Sequence, residues 1–282
     1  MAAALLLSFG VGPVAVPLAM ADTQRVSVTT LRPGSLVIAH RGASAVAPEN
    51  TLPAMRKAAA LGADMVEFDV QRTADRTLVV VHDKTFARTT DVASVFPGRE
   101  HDPISSFTWH QVQRLDAGSW FSPTYAGTRV PTLAQLLEAP RPLHIRLLLE
   151  LKNPTLYPGY EKQVADQPQH YGYVDSHRVW VHSFDADSLE RLHDLLPSVP
   201  VGLITKTGTV PTVDSTWLSS VNALSASVTD ANADTAMRDG SIILSWPRSG
   251  TDSLRRIDQL VDDGVRGIIT HRPHVVLRAL GR

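Results

Sequence analysis

Cysteine is absent from all 282 residues. That excludes disulfides and thiolate metal sites, though it does not by itself identify a compartment. An excess of charge is missing too: 27 Lys and Arg stand against 28 Asp and Glu, a formal net charge of −1. There is no basic run and no basic patch interleaved with aromatics, so no attraction to nucleic acid or to an anionic membrane is implied. Internal repeats of short period and low-complexity tracts are also lacking. One long apolar run exists, Ala2 to Met20, and it ends in Ala19-Met20-Ala21 before Asp22. It has the apolar core and small-residue cleavage site of a secretory signal, without the usual basic n-region. Gly10, Gly12, Pro13 and Pro17 interrupt it, and it is short for a span. A signal peptide over 1–21 therefore fits better than a membrane anchor. The expected product is secreted or extracytoplasmic after cleavage near Ala21, with no stable membrane span. Residues 22–33 form a polar leader.

The remaining length suits one large domain, 34–282. Strand-like and helix-like segments alternate along it. Leu36–His40, Met65–Val70 and Thr77–His82 read as strands, with a helix from Thr51 to Leu61 capped by Asn50 or Thr51 and stopped by Gly62. The link between the second and third strands is too short for a helix, so that corner departs from a regular βαβ unit. A long interval, about 84–143, exceeds a normal loop and is expected to be an ordered lid or cap over the strand ends. Within it Pro131-Thr132-Leu133 begins a helix through Glu138. Further strands are read at Ile145–Lys152, Arg178–Phe184, Val201–Thr205, Ala223–Val228, Ile242–Trp246 and Gly267–Thr270, with Asp185 capping a helix through Leu196. Nine strand candidates compete for eight positions, and Ala223–Val228 is the one expected to fall outside. The pattern implies an α/β fold, a distorted (β/α)8 TIM barrel with an insertion after the third strand and its active site at the C-terminal strand ends.

Polar residues gather at those ends: His40-Arg41-Gly42, Glu67-Phe68-Asp69, His82-Asp83 and Glu150-Leu151-Lys152. Glu67 and Asp69 are two apart on a strand and share a face. Two carboxylates facing a barrel interior repel each other unless neutralised. Either a divalent cation joins them, with Glu150 as a third ligand, or they pair with Arg41 and Lys152 as a buried ion network. All-oxygen ligands favour Mg²⁺ or Ca²⁺ over zinc. A lone His ending an apolar strand is more often a core residue, but His40 and His82 on neighbouring strands beside such a cluster suggest a proton donor and acceptor. Arg41 and Lys152 would hold a phosphate, and Glu49 would orient His40 or Arg41. For Asn50, a plain helix cap is the simpler reading.

Taken together, Ala39-His40-Arg41-Gly42, Pro48-Glu49-Asn50-Thr51, Glu67-Phe68-Asp69-Val70, Val81-His82-Asp83 and Leu149-Glu150-Leu151-Lys152 resemble the glycerophosphodiester phosphodiesterase family. The likeness extends through Asp116-Ala117-Gly118-Ser119-Trp120-Phe121 and Val130-Pro131-Thr132-Leu133 to Thr270–Pro273. The resemblance implies a TIM barrel that hydrolyses small-molecule glycerophosphodiesters to glycerol 3-phosphate and an alcohol. It implies a divalent cation, Ca²⁺ or Mg²⁺, on Glu67, Asp69 and Glu150, with His40 and His82 as the acid/base pair. Arg41 and Lys152 would contact phosphate, with Glu49 in support. In this family the glycerol hydroxyl next to the phosphate attacks first, giving a cyclic phosphate that water opens. Phe184 and Trp246 would pack against the glycerol carbons, the plainer alternative being barrel core.

Three motifs depart from the family pattern. His182 stands where a glutamine often precedes the Ser-Phe pair. Trp246-Pro247-Arg248-Ser249 replaces Trp-Thr-Val-Asn, and Thr270-His271-Arg272-Pro273 replaces Thr-Asp-Arg-Pro. All lie in the second half of the barrel. An exposed rim of Trp120, Phe121 and Tyr125 at the mouth would favour a lipid substrate and a phospholipase D- or C-like barrel enzyme. An inactive phosphodiester-binding protein would have lost a histidine or a metal carboxylate, and none is lost. The sequence carries no reading of oligomeric state or head-group preference.

Overall fold

The computed structural model describes residues 34–139, 145–207, 217–248 and 253–282. The apolar run, the cleavage motif and the whole leader segment lie outside the described residues. No helix among the described residues is long and apolar enough to cross a membrane.

The strands in chain order are β1 (Leu36–Ala39), β2 (Met65–Arg72), β3 (Leu78–Val80), β4 (Arg146–Leu151), β5 (Val179–Ser183), β6 (Val201–Thr205), β7 (Ser220–Leu224), β8 (Ile242–Trp246) and β9 (Gly267–Thr270). All but β3 run parallel, and β1 closes the ring by pairing with β2 on one side and β9 on the other. The result is a closed eight-stranded TIM barrel.

The strand outside the barrel is β3, not the segment around Ala223. It pairs antiparallel with β2, Val70 opposite Val80 and Arg72 opposite Leu78. The link from Thr73 to Thr77 is a tight turn with Arg76 at φ 66°, and a turn that short can only return the chain antiparallel. The strand expected at Ala223–Val228, outside the barrel, instead spans Ser220–Leu224 inside it, and Ser225–Ser227 is one 3₁₀ turn. His82 thus arrives from beyond a hairpin arm, not from the end of a barrel strand.

Side-chain parity explains what the strands carry. Ile38, Met65, Leu148, Trp180, Leu244 and Ile269 form one buried cluster. Their neighbours Val66, Phe68, Leu147, Leu149 and Val181 belong to another, shared with helix residues such as Met55, Val164 and Leu189. The first set plugs the barrel and the second seals strands against helices. With period two, the plug residues are followed up the same inner face by Glu67 and Asp69 on β2, Glu150 and then Lys152 on β4, His182 and then Phe184 on β5, and Trp246 on β8. An apolar floor therefore gives way to a polar layer at the C-terminal end.

The helices are α1 (Leu52–Ala60), α2 (Val92–Val95), α3 (Trp109–Val112), α4 (Leu133–Glu138), α5 (Tyr160–His170), α6 (Ala186–Leu195), α7 (Asp230–Arg238), α8 (Leu254–Asp262) and α9 (Pro273–Ala279). Their starts follow the sequence signals. Thr51 caps α1, Thr132 and Gln135 form a reciprocal capping box on α4, and Asp185 accepts the Ser188 amide at 2.8 Å to begin α6.

The segment from Lys84 to Val130 has its own core of Phe86, Val92, Ile104, Phe107, Val112, Leu115 and Val130, packed on Val79 and Val81. Asp116 ties its far turn by accepting amides from Gly118, Ser119 and Gly127. It is ordered, but it flanks the barrel mouth without roofing it. None of its residues lines the cavity among the strand ends. Tyr125 anchors it by donating to the Val46 carbonyl at 3.0 Å.

Candidate active site

The strand ends enclose a cavity of about 200 Å³. His40, Arg41, His82, Glu150, Lys152 and His182 make one wall; Phe184, Ile204, Trp246 and Ile269 make the other.

The charged wall is fixed from the backbone outward. Arg41 has φ 57°, in the left-handed region, an unusual posture for a non-glycine residue that the surroundings must impose. It turns the Arg41 amide onto Glu67 Oε2 at 2.8 Å while the guanidinium meets Glu49 Oε1 at 3.0 Å and Asp69 Oδ2 at 3.4 Å. Gly42 follows with φ 84°, and a Cβ there would meet Ala54 Cβ at 2.5 Å. The turn between β1 and α1 thus requires glycine on two counts.

Asn50 is more than a cap. Thr51 caps α1, and Asn50, at φ 57°, holds Asp69 twice, Nδ2 donating to Oδ2 at 2.8 Å and Oδ1 accepting the Asp69 amide at 3.2 Å. Lys152 Nζ donates to Glu150 Oε1 at 2.8 Å and lies 3.6 Å from Asp69 Oδ1. Burial opposes ionisation of Asp69, but Arg41 and Lys152 outweigh it and hold this carboxyl far below the usual range. Glu67 and Glu150 go the other way. Burial pushes both upward, and the negative charge of Asp69 adds to it. Asp69 therefore lies inside an ion network, whereas the Glu67 and Glu150 carboxyls want a further positive charge.

A nitrogen ligand sits beside them. One ligand atom each from Glu67, Glu150 and His182 lies within 4.8 Å of the others. Glu67 Oε1 and His182 Nε2, 3.7 Å apart, are buried without a hydrogen-bond partner among the described residues. Two carboxylates that burial disfavours as anions, with an orphaned imidazole nitrogen aimed at one of them, fit a divalent cation.

The histidines differ in their holds. His82 Nδ1 is 2.7 Å from Asp83 Oδ1, leaving Nε2 as the free ring nitrogen. Arg88 clamps Asp83 from the other side, Nε to Oδ2 at 2.7 Å, and reaches Glu49 with Nη1 and Nη2 at 2.8 and 2.7 Å. His40 Nε2 is 3.8 Å from Glu67 Oε2, and its ring stacks on His271 with centroids 4.7 Å apart. Burial, then Arg41 and His271, keep the His40 imidazole well below its usual pKa.

On the apolar wall Phe184 is 49% exposed and meets Trp246 edge to face at 6.2 Å. Phe184 is not core, whereas Trp246 is half-buried, packs on the plug residues and donates Nε1–H to the Asn222 carbonyl at 3.0 Å. Phe121 meets Trp120 and Tyr125 edge to face, each at 5.7 Å, but none of the three lines the cavity.

Of the site residues read from the sequence, His40, Arg41, His82, Glu150, Lys152, Phe184 and Trp246 line the cavity, and Glu49, Glu67 and Asp69 join the network behind it. In the sequence Asp83 stood in the His82-Asp83 motif without a role and Asn50 had only a capping role, while Asn222 and Arg88 went unnamed. Asp83 follows a candidate histidine directly, which was a usable signal; Arg88 lies in irregular chain with none.

The sequence pattern of the Glycerophosphoryl diester phosphodiesterase family matches residues 40–275. The chain belongs to that family. A glycerophosphodiester phosphodiesterase of Caldanaerobacter subterraneus is 31% identical over 251 residues, covering 86% of this chain and 96% of the relative. The crystal structure of a glycerophosphodiester phosphodiesterase from Agrobacterium tumefaciens superposes with TM-score 0.72 at 26% identity, covering 87% and 100% of the two chains. A phosphodiesterase of Oleispira antarctica, solved with its product sn-glycerol-3-phosphate, shares the fold with TM-score 0.74 at 23% identity over 88% and 97%. Like its family, the chain is a phosphoric diester hydrolase whose substrate class is the glycerophosphodiesters.

Proposed function

We propose that the cavity hydrolyses glycerophosphodiesters to glycerol 3-phosphate and an alcohol with the help of one divalent cation. The observation that carries the reading is the convergence of His40, His82, Arg41 and Lys152 on one cavity over the Glu67–Glu150–His182 group. Glu67, Asp69 and Glu150 are the carboxylates that would hold the cation, Asp69 the most firmly ionised of them, and an oxygen set of this kind suits Ca²⁺ or Mg²⁺. When bound, the cation would supply positive charge to the phosphoryl oxygens.

The chain's own residues do the rest. Arg41 and Lys152 grip the phosphate, Arg41 steadied by Glu49. Phe184 and Trp246 cover the glycerol carbons and keep water from that side. One histidine takes the proton of the glycerol hydroxyl next to the phosphate as its oxygen attacks phosphorus. The other gives a proton to the departing alcohol oxygen, leaving a cyclic phosphate. Water then opens the ring with the proton roles reversed. Asp83 holds the His82 ring for this exchange.

The test is release of glycerol 3-phosphate from a panel of glycerophosphodiesters and lysophospholipids, with and without chelator. Chelation should abolish release, and Ca²⁺ or Mg²⁺ should restore it; full activity after exhaustive chelation overturns the metal. We also propose that the chain is exported and matures near Asp22, supported by Ala19-Met20-Ala21. N-terminal sequencing of protein from the native host would show Met1 retained if that is wrong.

A further inference from the structure

His182 is buried on the inner face of β5, and its two ring nitrogens have different surroundings. Nδ1 is 2.9 Å from the amide Nδ2 of Asn222 on β7. Nε2 has no hydrogen-bond partner among the described residues and lies 3.7 Å from Glu67 Oε1. The two residues meet across β6. His182 registers with Gly202, and Gly202 with Ser220. A Cβ at Gly202 would lie 2.9 Å from Asn222 Nδ2 and 2.4 Å from Ser220 Oγ. The missing side chain of Gly202 is the gap through which Asn222 reaches His182. Asn222 itself is fully buried.

We propose that His182 is a ligand of the cation through Nε2, and that Asn222 is the positioning residue that sets its tautomer. The inference rests on the cation-dependent reading above and deepens it. A ring that coordinates through Nε2 carries its hydrogen on Nδ1 and needs an acceptor there. With Nδ2 facing the ring, Asn222 donates to Nδ1 and the hydrogen sits on Nε2. A half-turn of the amide presents Oδ1 instead, which accepts from Nδ1–H and frees the Nε2 lone pair. Oδ1 has no hydrogen-bond partner among the described residues, so the half-turn breaks no hydrogen bond of that oxygen. Asn222 therefore serves both the cation-free and the loaded tautomer. The donor set becomes mixed nitrogen and oxygen. An imidazole favours first-row transition cations, whereas carboxylates alone suit Mg²⁺ and Ca²⁺.

The experiment is calorimetric titration of cation-free protein with Co²⁺, Mn²⁺, Mg²⁺ and Ca²⁺, joined to pulsed electron paramagnetic resonance of the Mn²⁺-loaded wild type. Wild type should bind Co²⁺ and Mn²⁺ more tightly than Mg²⁺ and Ca²⁺, and the Mn²⁺ spectrum should show coupling to a directly bound nitrogen. His182→Gln should lower Co²⁺ affinity about 100-fold and leave Mg²⁺ affinity within about threefold. Asn222→Ala should show the same split at about tenfold for Co²⁺, and Asn222→Asp, which keeps an acceptor, should bind Co²⁺ like wild type. Equal Co²⁺ affinity in His182→Gln and wild type overturns the proposal. So does a parallel loss for all four cations, which marks a merely structural role. If either variant fails to fold, the wild-type Mn²⁺ spectrum decides, and absence of nitrogen coupling overturns the assignment while leaving a cation site in place. A wild type that binds no divalent cation overturns both this inference and the metal-dependent mechanism.

Discussion

The two halves of the barrel mouth are built on opposite principles. From β1 to β4 the wall is charged and over-determined. Arg41 contacts Glu67, Glu49 and Asp69; Asp69 is held by Asn50, Arg41 and Lys152; Arg88 locks Glu49 to Asp83. From β5 to β9 it is apolar apart from His182, with Phe184, Ile204, Trp246 and Ile269 lining the cavity. The first half is fixed before any ligand arrives. The second is mostly apolar, which suits shape and selectivity around the one imidazole it turns toward the carboxylates. The three departures from the family pattern fall on that apolar side.

The sharpest way to break the comparison is at the histidines of the charged half. His40→Ala and His82→Ala should each lower turnover roughly 10²–10⁴-fold while the melting transition persists; near wild-type turnover in either would make that residue structural. Next comes Gly42→Ala, whose added methyl meets Ala54 at a positive φ. It should destabilise the fold by about 2–3 kcal/mol in urea denaturation.

Arg88→Ala should cost about 1–2 kcal/mol, since the guanidinium is partly exposed. Its signature is pH dependence. The His82 contact, then Arg88, hold Asp83 below the usual carboxylate range against burial; Arg88 and Arg41 do the same for Glu49. Folded pKa values below the unfolded ones mean stability that is present above the unfolded range, about 3.9–4.3, and is lost as pH falls through the folded values. Removing Arg88 should flatten that acid limb, and denaturation midpoints measured from neutral pH downward would reveal an unchanged limb if the clamp is inert.

Effects in the apolar half should be smaller. Trp246→Ala should raise KM for glycerophosphodiesters roughly fivefold, from about 1 kcal/mol of lost contact, and barely move the melting temperature. His271→Asp should move least. It replaces a ring whose charge lowers the His40 pKa with a carboxylate that raises it, so the limb of the kcat/KM profile reporting His40 should shift to higher pH. An unshifted profile would leave His271 as packing.

Much of this was legible in residues alone because barrel strands obey period two. Glu67 and Asp69, or Glu150 and Lys152, share a face whatever the details of closure. The misplaced strand has a physical cause. Ser220-Val221-Asn222-Ala223-Leu224 puts its polar residues inward, so it lacks the continuous apolar run expected of a parallel strand buried on both faces. Leu78-Val79-Val80 has that run, and only the short turn before it betrays the hairpin. Asn222 was hidden by the same inversion, because the strand was read from Ala223 onward and left Asn222 just before it. Arg88 acts through geometry that irregular chain does not encode in any period.

One feature of closure bears on how the protein comes into being. The strand that delivers His40 is hydrogen-bonded along its length to β9, Leu36 opposite Gly267 through Ala39 opposite Thr270, while the plug beneath it includes Ile269. During synthesis the first strand emerges early and its second neighbour last. Until then β1 has one open edge, an adhesive one, and the entropy of closing so long a loop falls on the final folding step. A ribosome-stalled or proteolysed chain ending before Gly267 would hold nearly every candidate site residue and still present His40 on an unsealed staircase of strands. The last strand to be made is the keystone of the first.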